Sequence, residues 1–392
     1  MTNLELSADL LGSILETSRL EDLSLEAWEV SFVEELSGHG YLPDGMLTAD
    51  PRTGDRIVFN AARARRPLDN RPVAGQATPP CIVCTAQLTR VLDVADLSAG
   101  FTFINKNLYP VVYPRGLDAM PTDPTAESWG RPGTESYGLH LLQWTSSHHE
   151  TDWHNMPAFD RFIAMHRLAA LERKLLEESV GRYPSAQTWG GGDQHAGFVQ
   201  IIKNSGAPVG GSVYHGHQQI ILTNAMPRKS RDDHRFEQKH GTKFSHHLWQ
   251  ESGPELLLVD YGSARLVVPY FMRRPYDMIL LMRDSSKRYL HQLDASELQA
   301  IADGMHDGIA LMRQALTSIG RHVAYNVVFH VGPGAGIYIE FLPYSQEVGG
   351  FEQAGFWSCQ SSPIRAAEQL QRWRMDGITS PSLAPNPQDV SK

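Results

Sequence analysis

The stretch NSGAPVGGSVYHGHQQ, from Asn204 to Gln219, decides how this chain is read. It starts where the apolar run Phe198–Lys203 predicts a β-strand and ends inside a second one, predicted for His217–Leu222. Between them lie Gly206, Gly210 and Gly211. A tight glycine loop lets backbone approach a ligand closely, and its successive N–H groups can form a nest for an anion. Side chains alternate across a strand with period two, so His215, His217 and Gln219 are expected on one face, toward the loop. A neutral imidazole is a nucleophile toward phosphorus, and an amide can donate to a phosphoryl oxygen. A bare H-x-H pair reads more readily as two histidines on a half-buried strand. The glycine loop and Gln219 reverse that balance.

Outward from this core, the next signal is Cys81-Ile-Val-Cys84, directly after Pro79 and Pro80. A C-x-x-C turn puts two thiolates on one side, as a tetrahedral Zn²⁺ requires. With no second C-x-x-C in the chain, the remaining ligands must be histidines: His148 or His149, just past a strand predicted for Leu139–Thr145, and His215. A thioredoxin-like pair should open a helix after a βαβ strand; these cysteines are wrapped in proline and loop, and two buried structural cysteines are the other alternative.

The remaining pattern alternates short strands with long amphipathic helices. Residues 1–45 read as helical, through Leu10, Leu11, Ile14 and Leu15 and then Trp28, Phe32 and Val33. A turn at Asp50-Pro-Arg-Thr-Gly-Asp55 precedes a short strand, Arg56–Asn60, and the arginines Arg63, Arg65 and Arg66. Residues 158–181 form an amphipathic helix with Phe162, Met165, Leu168, Leu171 and Leu175 on one face. After a polar, basic joint between the halves at 226–252, in which the charged run Arg228–Arg235 reads as a solvated linker, the pattern partly repeats. Strands are expected near Leu256–Asp260, Ala264–Pro269, Asp277–Leu281, Val323–His330 and Gly336–Leu342. Asp294 and Glu297 have capping-box spacing at the head of a helix over 295–318, and a last helix covers 363–374. Strands and a long helix, occurring twice, predict an α+β fold of two similar halves.

Composition bounds the rest. The 392 residues are 41% hydrophobic and 20% charged, an ordinary globular balance. Lys and Arg number 35 against 44 Asp and Glu, a net charge of −9, so no nucleic-acid partner is expected. Cys81, Cys84 and Cys359 cannot supply a disulfide framework, which fits a reducing, cytoplasmic compartment. No signal peptide and no membrane span are expected. The 17 histidines bunch between His140 and His166 and at His215 and His217.

These residues resemble the galactose-1-phosphate uridylyltransferase-like branch of the histidine-triad (HIT) superfamily, with its related nucleotide-sugar and dinucleoside-polyphosphate phosphorylases. Asp50-Pro-x-Thr-Gly and Arg63 to Pro67 resemble its N-terminal segment, Cys81-x-x-Cys84 its zinc turn, and Phe103 to Pro110 its nucleotide-pocket strand. Asn204 to Gln219 has the spacing of its N-x-G…G-x-S-x-x-H-x-H-x-Q signature. Gly350-Phe351-Glu352 ahead of Ala366-Ala367-Glu368 resembles its close. The resemblance implies tandem HIT-like halves with antiparallel sheets and flanking helices, spanning 48–228 and 229–376, after an N-terminal extension (1–47) and before a disordered tail (377–392). It makes His217 the nucleophile that accepts a nucleotidyl group, with Gln219 beside it. Arg63, Arg65, Asn105, Asn204, Gly210, Ser212, Phe351 and Glu352 would bind substrate, and Cys81, Cys84, His148 and His215 would hold a structural zinc. The implied activity is nucleotidyl transfer from a nucleotide sugar by double displacement, in a homodimer. A phosphorylase or hydrolase with the same intermediate, and a zinc-stabilised nucleotide-binding protein without turnover, are the alternatives.

The second half departs from the family pattern. Where a second H-x-H is common, this chain has Gly336 and Tyr338, so no second metal is expected, although His330 falls where one of its ligands would be. A basic residue used for the sugar phosphate is replaced in the Gln346–Glu347 region, which leaves the acceptor open. Lys106 replaces an acidic residue of uridylyl-specific members, which leaves the base open.

Overall fold

The computed structural model describes residues 6–15, 19–40, 42, 43, 45–65, 80–114, 134–180, 182, 183 and 197–375. The expected disordered tail, 377–392, lies outside them, as do residues 184–196 and 115–133.

Elements are numbered along the chain. Two helices come first, α1 (Ala8–Ile14) and α2 (Leu25–Leu36). Ser24 caps α2 by accepting the N–H of Ala27. Leu25, Trp28, Phe32 and Leu36 recur at helical spacing and are all buried, each side chain worth roughly 1.5–3 kcal/mol of burial. Leu6 and Leu11 pack with Cys81, Val83, Cys84 and Trp144, so the extension covers the cysteine turn. A small sheet follows, ordered β2 (Arg56–Phe59), β1 (Met46–Ala49), β5 (Thr134–Glu135).

The body is duplicated. The first unit runs β3 (Val91–Asp96), β4 (Phe101–Lys106), β6 (Gly138–Trp144), α3 (Ala158–Glu178), β7 (Phe198–Ser205) and β8 (His217–Thr223). After α4 (Arg228–His240) and α5 (Phe244–Glu251), the second runs β9 (Leu257–Asp260), β10 (Ala264–Val267), β11 (Met278–Met282), α6 (Ala295–Ser318), β12 (Tyr325–His330) and β13 (Tyr338–Pro343). Their strands form one antiparallel sheet in the order β3-β4-β6-β8-β7-β12-β13-β11-β10-β9. The order reads alike from either end. Corresponding strands meet in the middle, where β7 pairs β12 with Asn204 opposite Asn326. Helix α3 packs on α6, joined by an Arg161–Asp303 ion pair at 2.6 Å. The expected capping box is present on α6: the Asp294 carboxylate accepts the N–H groups of Ser296 and Glu297, and Glu297 accepts that of Asp294. The chain closes with α7 (Gly350–Gln353) and α8 (Pro363–Met375). Among the described residues no helix is long and apolar enough to cross a membrane.

The joint at 226–252 consists of α4 and α5, and the run Arg228–Arg235, expected as a solvated linker, lies within α4. Its polarity hides the reason. Asp233 is buried and accepts the Tyr338 hydroxyl at 3.1 Å, and Lys229 pairs with Glu340, so one charged face of α4 is tied to β13 rather than solvated. Strand β3 also goes beyond the expected set. It is an edge strand whose register shifts between Val91 and Asp93, and a bulge interrupts the alternation by which a strand is read.

Candidate active site and metal centre

The glycine loop closes on itself between β7 and β8. Gly206 sits at φ 89°, a region open to glycine without strain, and its carbonyl accepts Gly211 N–H at 3.0 Å. Strand β8 then enters the sheet between β6 and β7, so all seven of its residues are buried. The alternation holds from its first residue. His217 and Gln219 face an open cleft also lined by Asn105, Tyr109, Trp144 and Ser212. Gln218 points the other way, donating to Gln143 at 2.6 Å and accepting from the Trp153 indole at 3.1 Å. His215 departs from the expected common face. It precedes the strand, and its ring goes to the cysteines.

His217 is held as a neutral base. Its Nδ1 lies 2.8 Å from the His215 carbonyl oxygen. A carbonyl can only accept, so the proton is on Nδ1 and Nε2 carries the lone pair. Burial, reinforced by the Lys203 charge, pushes the His217 pKa down to about 4. Lys203 lies behind the strand. It donates to the His217 carbonyl at 3.1 Å and pairs with Asp152 at 2.7 Å. Asp152 also accepts from Thr145 Oγ1 and Trp153 N–H. This packing accounts for glycine at 216: a Cβ there would lie 2.6 Å from Thr145 Oγ1 and 2.7 Å from Asp152 Cγ.

Beside the cleft, ligand atoms of Cys81, Cys84, His149 and His215 all lie within 4.8 Å of one another. His215 Nδ1 is 3.7 Å from both sulfurs, and His149 Nδ1 is 3.6 Å from Cys84 Sγ. His215 Nε2 donates to the Ser146 carbonyl at 2.7 Å, which aims the lone pair of Nδ1 at the sulfurs, the second-shell arrangement usual for metal-bound histidine. Burial opposes ionisation of Cys81, but the adjacent His149 and His215 rings outweigh it and lower the thiol to about 5. Two soft sulfurs and two imidazoles fit a zinc ion. The expected ligand His148 is corrected to His149. The His148 ring instead lies against Gly100, its Nε2 3.0 Å from where a Cβ there would stand. Adjacent residues project differently from the turn after β6, which strand spacing alone cannot separate.

The other expected residues are spread more widely. Asn105 and Ser212 line the cleft, and the Asn105 side chain accepts the Trp144 indole N–H at 2.9 Å. Arg63 stands next to it, donating to the carbonyl of the cleft residue Tyr109 at 2.6 Å. The Arg65 side chain lies outside the described residues. Asn204 accepts from Asn326 at 2.7 Å, and Asn326 also donates to Val209, so this pair braces the glycine loop. Gly210 is at φ 85° with open space around it. Phe351 and Glu352 are not among the cleft-lining residues. Phe351 is exposed and stacks on Phe356 at 5.2 Å, while Glu352 accepts the N–H of Gly349 at the start of its own helix. Lys106 is buried and bonded to Glu35 and Ser31 of α2, so its charge is spent on the extension. Of the tryptophans, Trp153 is core and Trp144 is buried yet borders the cleft, 4.8 Å from the His217 ring. Lys203, Asp152 and His140 were not singled out from the sequence. The bunching of histidines was the available signal for His140.

The second unit repeats the site without its chemistry. Tyr338 opens β13 as His217 opens β8, and Glu340 follows it as Gln219 follows His217. Glu340 accepts from His330 at 2.8 Å and pairs with Lys229, and Tyr338 bonds Asp233. His330 is therefore engaged by protein groups. Glu347 is covered by Arg321, with paired contacts of 2.8 and 2.7 Å.

No family model matches the chain. It is 25% identical over 337 residues to ADP-glucose phosphorylase of Arabidopsis thaliana, covering 78% of this chain and 86% of that one. Its structure superposes on that of a uridylyltransferase with a TM-score of 0.64 at 17% identity, over 84% of this chain and 99% of the other. It superposes on the Arabidopsis thaliana ADP-glucose phosphorylase with bound ADP-glucose with a TM-score of 0.55 at 17% identity, over 83% and 98%. In fold, and in the motifs quoted from its sequence, the chain therefore resembles the galactose-1-phosphate uridylyltransferase-like branch of the histidine-triad superfamily.

Proposed function

We propose that the chain transfers a nucleotidyl group from a nucleoside diphosphate sugar by double displacement through His217. The observation that carries this reading is the His217 Nδ1 bond to the His215 carbonyl, which leaves a neutral Nε2 on a residue that lines the cleft together with Gln219 and Ser212. Nε2 attacks the α-phosphorus. A P–N bond forms, the bond from the α-phosphorus to the bridging oxygen breaks, and its electron pair leaves with the sugar phosphate. An acceptor oxygen then attacks the same phosphorus and returns the electron pair to His217. Ser212 and Gln219 would donate to the phosphoryl oxygens, with Gly210 in the loop beside them, and Arg63 and Arg65 would add positive charge. Cys81, Cys84, His149 and His215 would hold a Zn²⁺ that fixes the turn beside the cleft and supplies no step of the reaction. Phe351, exposed on this copy, and the half-buried Glu352 would serve the cleft of a second copy in a homodimer.

One observation favours inorganic phosphate over a sugar phosphate as acceptor: Gln346 and Glu347 stand where a basic residue is used, and the nearby Arg321 is engaged by Glu347. The name and bound ADP-glucose of the Arabidopsis relative support the same phosphorylase variant and an adenine nucleotide.

The test is intact-mass analysis after incubation with adenosine and uridine diphosphate sugars. The expected result is one added nucleoside monophosphate on the wild type and none on His217→Ala. Phosphate against sugar phosphates, added next, identifies the acceptor by which one discharges the adduct. Nucleotide binding with no adduct from any donor would leave a binding protein without turnover.

A further inference from the structure

The donor face of Gln219 is not fixed by Gln219 itself. An amide side chain can present its oxygen or its NH₂ to the cleft, and only NH₂ can donate to a phosphoryl oxygen. We infer that His140, on the neighbouring strand β6, is the positioning residue that makes this choice; the inference rests on the function proposed above.

His140 is fully buried. Its Nδ1 receives the backbone N–H of Val111 at 3.1 Å. A backbone N–H can only donate, so Nδ1 is the acceptor and the neutral ring carries its proton on Nε2. That nitrogen lies 3.0 Å from Gln219 Oε1, and the Nε2–H donates to it. Asn107 Nδ2 is also 3.1 Å from Nε2. The Asn107 oxygen is taken by Tyr109 N–H at 2.8 Å, so this neighbour turns its NH₂ rather than its oxygen toward the ring and is not the acceptor of the Nε2 proton. Oε1 of Gln219 is thus the acceptor for the ring proton, and the Gln219 NH₂ is turned to the cleft beside His217. Flipping the amide would put a second NH₂ beside the Nε2–H, next to that of Asn107, and take away the Gln219 acceptor. The relay runs from the Val111 backbone through an imidazole to the amide. It also explains why one member of the histidine cluster is buried in the sheet, away from both the nucleophile and the metal-type cluster.

The second unit lacks the arrangement. Its strand equivalent to β8 carries Glu340 at the Gln219 position, an acceptor with no donor end when ionised, and Glu340 is bound to His330 and Lys229.

The test is a double-mutant cycle on the rate of adduct formation at His217, read by rapid quench and intact mass with ADP-glucose. His140→Phe is expected to slow the step by about 10- to 100-fold, up to the loss seen when one such donor is deleted outright. In a Gln219→Ala background the same change should cost less than about twofold, because the group it orients is gone. His140→Gln, which can accept from Val111 and donate to Gln219, should restore most of the rate. Equal losses in both backgrounds, or no loss in the first, would overturn the assignment. A fold-independent check is the ¹⁵N spectrum of selectively labelled wild-type protein at neutral pH, with His140 assigned through its loss in His140→Gln. Protonated Nε2 with bare Nδ1 is expected, and the opposite tautomer refutes the relay. If the wild type forms no adduct with any donor, the functional reading falls and this inference with it. An adduct with additive mutant costs removes this inference alone.

Discussion

Replacing Lys203 by Met tests the support behind the nucleophile. The Lys203 ammonium is 2% exposed, lies 2.7 Å from Asp152 Oδ2, and donates to the His217 carbonyl. Without it, Asp152 keeps its bonds from Thr145 and Trp153 but is left as a largely enclosed charge without its ammonium partner. Breaking a buried pair in this way costs about 3–5 kcal/mol. With a urea dependence of about 3 kcal/mol per molar, the unfolding midpoint should fall by roughly 1–1.7 M. The double variant Lys203→Met with Asp152→Asn removes both charges and should recover at least half of that loss. Activity should behave differently. Both variants lose the anchor on the His217 carbonyl, and a shift of the ring by a fraction of an ångström is enough to slow adduct formation by about 10- to 100-fold. The assay pairs urea denaturation with rapid-quench intact mass. Two results would refute the reasoning: an unchanged midpoint for Lys203→Met, or a double variant no more stable than the single one.

Metal content separates the two adjacent histidines. His149→Ala should lose bound zinc measured by elemental analysis, while His148→Ala should retain it. Chelation of the wild type should lower its melting temperature, since Leu6, Leu11 and Trp144 pack against the cysteine turn. A second expectation concerns Asp233 and Asp277, both pushed up to about 7 by burial. Their folded pKa values exceed the unfolded ones, so the folded state holds protons that the unfolded chain has released between about pH 4 and 7. Stability therefore falls as pH rises through that window, by at most about 4 kcal/mol for each group. Asp233→Asn should melt higher than wild type at pH 8 and match it near pH 4. A difference independent of pH would contradict this assignment.

Much of the site was legible because its chemistry is local in sequence. The glycine loop, His217 and Gln219 lie within 16 residues, and period-two alternation put the last two on the cleft face as found. The Asp294 and Glu297 capping box and the helix it opens were equally readable, since a cap is decided within one turn. Helix α4 was missed because its partners, Glu340 and Tyr338, lie more than a hundred residues away, and a charged run looks solvated until they are in place. The face of His215 and the preference for His148 over His149 were misread for a related reason: the place where a strand begins or a turn rotates sets side-chain direction, and that depends on neighbouring strands.

By itself the sequence determined the duplicated α+β pattern, the strand–loop–strand core and the residue types able to attack and hold phosphorus. Only the tertiary structure decided which histidine joins the cysteines, which tautomer His217 takes, and which face Gln219 shows. Those choices depend on the His215 and Ser146 carbonyls, Lys203 and the Val111–His140 relay. A sequence motif specifies donors and acceptors, but the direction of each hydrogen bond is fixed only when the sheet brings the partner to within about 3 Å.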